Sequence, residues 1–590
     1  MRITELHYQL VVVGGGMSGT IAAITAARKG LKTALIQNRP VLGGNASSEI
    51  RMHICGADNH AQRPNARETG ILEEMLLENK YRNPANSFEV FDLILWEKAH
   101  YQSNLDLYLN AQMVNASRTN DRIEFVDVDQ LTNEKQYRFY GDYFVDATGD
   151  GTLGALVGAE YRSGREAESE FHEPYAPKKA DNHTMGSSIQ FTAKDMGHPV
   201  PFTKPSWAYT YHESDLAGRD HSDITAGYWW IELGGSDGLD TISDAENIRD
   251  ELLKVALGIW DHIKNDGDHG ASNYALDWIG FLPGKRESRR FIGDYTLTAN
   301  DILENTSFGD AIAYGGWPMD LHAVGGIAAS SDDPTTYYKF KDVYQIPYRC
   351  LYSRNIDNLF LGGRLISTTH IAFGSTRVMG TCSVIGQAIG LATWLAERYS
   401  LTPRKVGKRK IQELQQEALK EDLYIPRVIN EDPLDLARSA TVSASSSTSS
   451  RTAASAVING TARTVADKLN YWESATDGEE WIDLDLSRAA SIRELNIRFD
   501  SNLSREIMPS LLTSRMALQE KRVQSTLVKD FTVQFFDKEK IVKEVSVRDN
   551  YMRNYWLRLE EPVLSDKVHI MLHSTNGDKH HRIFEIRCYE

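Results

Sequence analysis

Two short stretches of this chain could move a proton or hold an anion. In Trp317-Pro318-Met319-Asp320-Leu321-His322 a carboxylate and an imidazole stand two residues apart, so an extended strand would set both on one face. A carboxylate placed this way can orient a histidine as a general base. A lone histidine more often serves as a hydrogen-bonded structural residue, and both readings stand for His322 and its partner Asp320. Gly284-Lys285-Arg286-Glu287-Ser288-Arg289-Arg290 collects three guanidinium groups and a carboxylate. They could grip a carboxylate or phosphate, with Arg289 foremost, or lock the segment to its neighbours through buried ion pairs. His370, Arg51 and His53 complete the set of candidate catalytic side chains. Cys55 is weaker, since nothing in the sequence stabilises its thiolate.

These groups need a ligand, and four glycine-bearing turns say which. Leu10–Val13 reads as a buried strand, and Gly14-Gly15-Gly16-Met17-Ser18-Gly19 then opens an alanine-rich helix. Gly14 permits the tight turn, Gly16 lets backbone approach a pyrophosphate, and Gly19 lets helix and strand pack, while the helix N-terminus faces the phosphates. A second strand, Lys32–Gln37, puts Gln37 where an acidic residue usually takes the ribose, and Asn38-Arg39 could suit a 2′-phosphate instead. The next segment favours FAD over NADP: Gly43-Gly44 make a second close backbone approach, with Asn45, Ser47 and Ser48 beside it. The third signal is the strand Tyr143–Asp146 running into Ala147-Thr148-Gly149, a turn that returns beside the adenine and pyrophosphate. A β-meander precedes it, with Val114 as the backbone adenine contact; an unrelated hairpin insertion is the other reading. Far downstream, Leu359–Leu361 meets Gly362-Gly363-Arg364, and a helix begins near Arg377 with Gly380 and Thr381 in its first turn. Its N-terminus would face the flavin ring and stabilise the reduced anion. His370 lies on the loop between that strand and that helix, near the reactive edge.

The segments Gln37–Asn45, Gly284–Arg290, Gly315–His322, Ile346–Arg349 and Arg377–Thr381 together resemble a bacterial FAD-dependent oxidoreductase family often encoded beside polysaccharide-degrading genes. The likeness covers residues 8–425. It implies a glutathione-reductase-like FAD fold in which a glutamine at position 37 is usual. Neither a redox CxxC nor a second GxGxxG for NAD is present, so electrons would come from a substrate or a diffusible partner. The resemblance implies flavin chemistry without naming a substrate; a flavin exchanges hydride between its N5 and a substrate carbon, and the favoured substrate is a carbohydrate or glycoside carbon bearing a hydroxyl. An NAD(P)H-linked reductase of a C=C or C=O bond, and a carbohydrate-binding protein with a non-catalytic flavin scaffold, are the alternatives.

At 590 residues the chain exceeds one hydrophobic core. The expected class is α/β: a Rossmann-like FAD-binding domain (residues 1–155 and 345–425) with an inserted α+β substrate domain (156–344), a linker (426–436) and a C-terminal β-sandwich (437–590). Within the insert, Ser206–Trp230 is dense in aromatic and polar groups that suit sugar rings or plain packing. Ser243–Asn265 reads as one amphipathic helix, and Lys405–Lys420 as another. The final stretch, with Trp472 in its core, resembles a discoidin-type jelly roll like the C-terminal domains of coagulation factors. Such domains often bind glycans, though docking on the catalytic domain or supporting a homo-oligomer is as good a reading. Sixty-five Lys and Arg against 81 Asp and Glu leave a net charge of −16, which argues against nucleic acid or an anionic membrane surface as partner. The expected partner is a small-molecule or oligosaccharide substrate. The four cysteines are widely spaced, so neither a disulfide framework nor a metal site is expected. No run of about 18 apolar residues predicts membrane insertion, and the chain as given reads as cytoplasmic, or as periplasmic or secreted had a signal been removed.

Overall fold

Thr4–Val13 forms β1, exposed at Thr4, Glu5 and His7 and then buried from Leu10 to Val13. That change follows from position, because the second half is covered on both faces, where a continuous apolar run is required. α1 (Met17–Arg28) follows, with every residue but Arg28 buried. The sheet is completed by β2 (Thr33–Ile36), β3 (Leu105–Tyr108), β4 (Ala111–Thr119), β5 (Arg122–Gln130) and β6 (Lys135–Asp146), in the order β3-β2-β1-β6-β5-β4. β3, β2, β1 and β6 run parallel. β6 changes neighbour halfway along one edge: Lys135–Tyr140 pairs antiparallel with β5, whereas Phe144–Asp146 pairs parallel with the strand Leu359–Leu361. Val13, Asp146 and Leu361 therefore end side by side, at the carboxyl edge where doubly wound sheets bind ligands.

The computed structural model describes residues 3–236, 238–329 and 331–590, in two units. The first comprises Met1–Asn59, Asn86–Leu414 and Met508–Leu518; the second comprises His60–Ala85, Gln415–Ile507 and Gln519–Glu590.

In the first unit the helix Met379–Arg398 lies on α1. Gly386 and Gly390 make this possible, since a Cβ at either would run into the backbone carbonyl of Ser18 or Ala22. This helix is long and apolar enough to cross a membrane, but 89% of the qualifying window is buried, so core packing accounts for its apolarity. The inserted segment is built from short sheets, such as Ser187–Ser188 between Glu232–Leu233 and Gly284–Lys285, around the helix Ala245–Asp261. Ile248, Leu252, Val255 and Ile259 face its core with Phe191, Trp230 and Trp260, as the spacing predicts. The helix ends at Asp261, earlier than expected, and passes into a π turn, His262–Asp266. The helix expected over Lys405–Lys420 is two, Pro403–Arg409 and Ile411–Lys420.

The second unit is antiparallel β. Its long strand Glu480–Phe499 pairs with Thr441–Ala444 over its first part and with Arg582–Tyr589 over its last, while Asn554–Thr575 runs along both. Trp472 is fully buried, with Ile482, Leu495, Phe531 and Ile570. The boundaries differ from expectation here. Residues 60–85, read as nucleotide domain, belong to this unit: Arg67 pairs with Glu73 and donates to the Ser501 carbonyl at 2.9 Å, and the Tyr81 and Tyr551 rings stack at 4.1 Å. Residues 426–436 are no free linker either, because Asp435 is buried and accepts from the Cys588 amide at 3.0 Å. Burial pushes the Asp435 carboxyl up to about 6.

Replacing Gly386 by valine is expected to destabilise the first unit by about 1–3 kcal/mol through overpacking. A denaturation midpoint unchanged from wild type would show that the two helices are not held in contact there.

Candidate active site

The carboxyl edge of the sheet opens into a cavity of about 400 Å³, within the range of ligand sites. Gly14, Gly16, Met17, Ser18 and Gly19 line it from the first turn and Gln37, Asn38 and Arg39 from the end of β2. Gly43, Gly44 and Asn45 come from the second glycine turn, Ala147, Thr148 and Gly149 from the end of β6, and Gly363, Arg364 and Arg377 from the downstream segment. Four turns distant in sequence thus meet around one space. Two helices point their N-termini into it, α1 from Gly16 and the Met379–Arg398 helix from Val378. Neither has a side-chain cap or an acidic residue in its first turn. Both leave N–H groups and a positive dipole end for an anionic or electron-rich ligand.

The residues fit a dinucleotide. Gly14 is left-handed (φ 108°), and a Cβ there would strike the Ala147 carbonyl, so this glycine serves the protein's own packing. Gly16 differs: a Cβ there would meet nothing within 4 Å and would project into the cavity that Gly16 lines. Ser18 Oγ, Arg364 Nε and Arg377 Nε are buried without a protein partner, as donors awaiting a ligand would be. Gln37 lines the cavity, but its amide is engaged: Oε1 accepts from Gly15 N at 2.9 Å and Nε2 donates to the Val41 carbonyl at 3.1 Å.

Several expected residues lie elsewhere. Val114 is half exposed on β4 and outside the lining, to which β4 contributes Ala111, Gln112 and Met113 instead. The Ser48 amide is turned to Asp92, and the Gly380 amide donates to the Cys55 carbonyl. Thr381 is also outside the lining, its Oγ1 buried without a partner. Among the catalytic candidates His53 reaches the cavity, as does the weaker candidate Cys55, and Arg51, Arg289, Asp320, His322 and His370 do not. Arg51 donates to Glu89 at 2.6 Å and lies over the Trp278 ring at 4.2 Å. Arg289 donates to the Asp150 carbonyl at 2.9 Å and faces Tyr161. His370 is buried, with Nδ1 3.0 Å from Glu287 Oε1 in a network that includes Arg290 and Glu166. Of the two readings for GKRESRR, the buried ion pairs account for Arg290.

Asp320 and His322 do come together, behind the cavity wall. Arg377 Nη2 donates to Asp320 Oδ2 at 2.8 Å and to His322 Nε2 at 3.0 Å. A guanidinium can only donate, so the imidazole proton sits on Nδ1, which donates to Glu232 Oε2 at 2.6 Å. Arg286 approaches the same carboxylate at 3.4 Å. Burial alone would raise the Glu232 carboxyl, but the Arg286 guanidinium and His322 hold it down at about 2. Arg377 and Arg286 both line the cavity, so this buried chain fixes two cations at the ligand face. Glu232 carried no motif and was missed. The lining also includes Asp150, Ser188, Gln190, Trp229, Lys285 and Cys382. Lys285 reaches Asp150 Oδ2 at 2.6 Å, and Arg364 approaches its Oδ1 at 3.3 Å.

The family described as FAD dependent oxidoreductase matches residues 9–417. Two curated proteins share short stretches. A digeranylgeranylglycerophospholipid reductase of Picrophilus torridus is 54% identical over 39 residues, 7% of this chain and 10% of that protein. A dihydrolipoyl dehydrogenase of Trypanosoma brucei brucei is 60% identical over 37 residues, 6% and 8% respectively. The chain thus spans no more than a tenth of the length of these relatives. Among solved structures, a chitosan-binding module from a Paenibacillus chitosanase/glucanase is similar at 14% identity and a TM-score of 0.20, covering 26% of this chain and 98% of its own. A family 32 carbohydrate-binding module from Streptococcus pneumoniae EndoD gives 20% identity and a TM-score of 0.21, covering 26% and 99%.

Glu232 titrates lower in the folded chain than the roughly 4.3 of an unfolded glutamate. Its contribution to stability is therefore complete above about pH 4.3 and is lost as the pH falls towards about 2. Glu232→Gln should be less stable at neutral pH and should lose less on acidification through that window. Parallel curves of urea midpoint against pH for the two proteins would contradict this.

Proposed function

We propose that this chain, which belongs to the FAD dependent oxidoreductase family, uses bound FAD to exchange a hydride with a hydroxyl-bearing carbon of a carbohydrate or glycoside. The observation that carries the reading is the convergence of two uncapped helix N-termini, with the unpartnered donors of Ser18, Arg364 and Arg377, on one cavity. Gly16 and Ser18 with the N-terminus of α1 would hold the pyrophosphate, with Gly14 shaping the turn that carries them. The N-terminus at Val378–Met379 would lie against the flavin, the part that supplies the redox chemistry.

The remaining wall suits a polar substrate. Ser188, Gln190 and Lys285 offer hydrogen bonds and Trp229 an aromatic face, all on the lining. His53 is the imidazole on that lining, which makes it the residue to take a hydroxyl proton, or to return one in the reverse direction. His322 has both ring nitrogens engaged and acts as a positioning residue by steadying Arg377. The β unit, with Trp472 spent on its core, is assigned as a discoidin-type module that meets glycan through its loops.

The purified chain is expected to be yellow. Anaerobic titration with sugars, glycosides and uronates should bleach its oxidised-flavin band with members of one class; bleaching by NADPH alone would favour the reductase reading instead. Because a methyl group on Gly16 meets cavity and no protein, Gly16→Ala should keep the wild-type apoprotein midpoint while weakening FAD about tenfold or more, a loss of about 1.4 kcal/mol. His53→Asn should keep the flavin and slow its reduction by about 10²-fold or more. Retention of full reduction rate would remove His53 from the chemistry.

A further inference from the structure

The inserted segment holds a second cluster of ionisable side chains that the cofactor cavity does not use. Glu213 opens a 3-10 turn, His221 follows on the next loop, His262 opens the π turn that ends the helix Ala245–Asp261, and His269 lies just beyond it. One ligand-type atom from each of the four lies within 4.8 Å of all the others. The three imidazole rings sit 4.9, 5.0 and 5.5 Å apart, tilted to one another by 62–69°, so that they surround a common point. Gly267 admits the third ring, since a Cβ there would collide with it.

Proton accounting shows what the point is for. His221 Nδ1 lies 2.7 Å from the Arg219 carbonyl, which can only accept, so Nδ1 carries the proton and Nε2 presents a lone pair. His262 Nδ1 donates to the Asp266 carboxylate at 3.2 Å, which leaves its Nε2 bare as well. Yet these two Nε2 atoms each lie 3.2 Å from Glu213 Oε2, itself an acceptor, and His262 Nε2 lies 3.1 Å from His269 Nε2. With these imidazoles neutral, acceptors converge with too few protons between them. A cation resolves the conflict. Zinc–nitrogen and zinc–oxygen bonds of about 2.0–2.2 Å place tetrahedral ligand atoms roughly 3.3–3.5 Å apart. The spacings here are 3.1, 3.2, 3.2 and, for His269 Nε2 to Glu213 Oε2, 3.9 Å. The outer contacts are those that metal-bound histidines make, one ring N–H to a carboxylate and another to a backbone carbonyl.

We propose that Glu213, His221, His262 and His269 form a four-coordinate site for a divalent transition ion, with zinc the best match to three imidazoles and one carboxylate. Four protein ligands close the tetrahedron, so the ion is structural. It pins the end of the helix Ala245–Asp261 to the 213–221 loop, beside the core residues Leu216 and Trp260.

The test uses the full-length flavoprotein, freed of metal by a chelator and titrated with zinc alone, with bound metal measured by elemental analysis after gel filtration. The expected result is one zinc per chain, a raised thermal midpoint, and, with cobalt in its place, the intense visible difference spectrum of a tetrahedral ion. Glu213→Gln and His269→Ala, on the more exposed side of the site, should weaken zinc at least about tenfold with the flavin retained. His262→Ala should abolish binding, and should it not fold, the first two variants decide. Substoichiometric zinc in the wild-type chain, or equal affinity in Glu213→Gln and His269→Ala, overturns the site.

Discussion

Everything at the carboxyl edge of the sheet depends on how closely α1 and the Met379–Arg398 helix approach. Gly386 and Gly390 bring the two backbones together over Ser18 and Ala22, and the parallel register of β1, β6 and Leu361 sets the strand ends level beneath them. The result is two positive helix ends facing one cavity. Neither end is neutralised by a first-turn acid or a side-chain cap. An isolated helix would gain stability from either; here the first-turn amides go without a side-chain cap, and that of Gly380 is taken by the Cys55 carbonyl.

Behind the cavity, charges are arranged to be held still. Glu232, Arg286, Asp320 and Arg377 form a buried set of opposite charges bridged by the His322 imidazole, and its two arginines line the cavity. A second buried set, Glu287 with His370, Arg290 and Glu166, holds the neighbouring loop in place. Buried pairs of this kind contribute little net stability, but losing one partner leaves a desolvated charge, so geometry is strongly enforced. Two histidines that looked catalytic, His322 and His370, are therefore engaged in these buried sets and lie outside the cavity lining.

The cofactor side was legible because it depends on local backbone rules. Glycines between strand and helix announce close approaches, and Gly14, Gly16, Gly43, Gly149 and Gly363 all line the cavity. The catalytic side was not, because it depends on which side chains a long insert folds inward. His370 and Arg289 adjoin glycine-bearing or charged motifs and yet turn into protein contacts, whereas Glu232 sits in no motif and Trp229 is the one residue of the aromatic stretch Ser206–Trp230 on the cavity lining. Val114 lies one residue past the stretch Ala111–Met113 that lines the cavity, at the β-bulge where β4 changes register against β5. The four-ligand cluster was hidden for a similar reason: Glu213 and His221 meet His262 and His269 only through the fold of the insert, at spacings that match no metal-binding signature.

The chain's path through its two units has a consequence for how it is made. Residues 60–85 leave the nucleotide fold to join the β unit, where Arg67, Lys80 and Tyr81 find partners at Ser501, Glu520 and Tyr551. On the ribosome this early helical segment emerges long before the strands that cover it, and its pairing must wait for almost the whole polypeptide. Contacts so remote in sequence are slow to form, so the nascent protein exposes this segment to chaperones or to mispairing throughout synthesis.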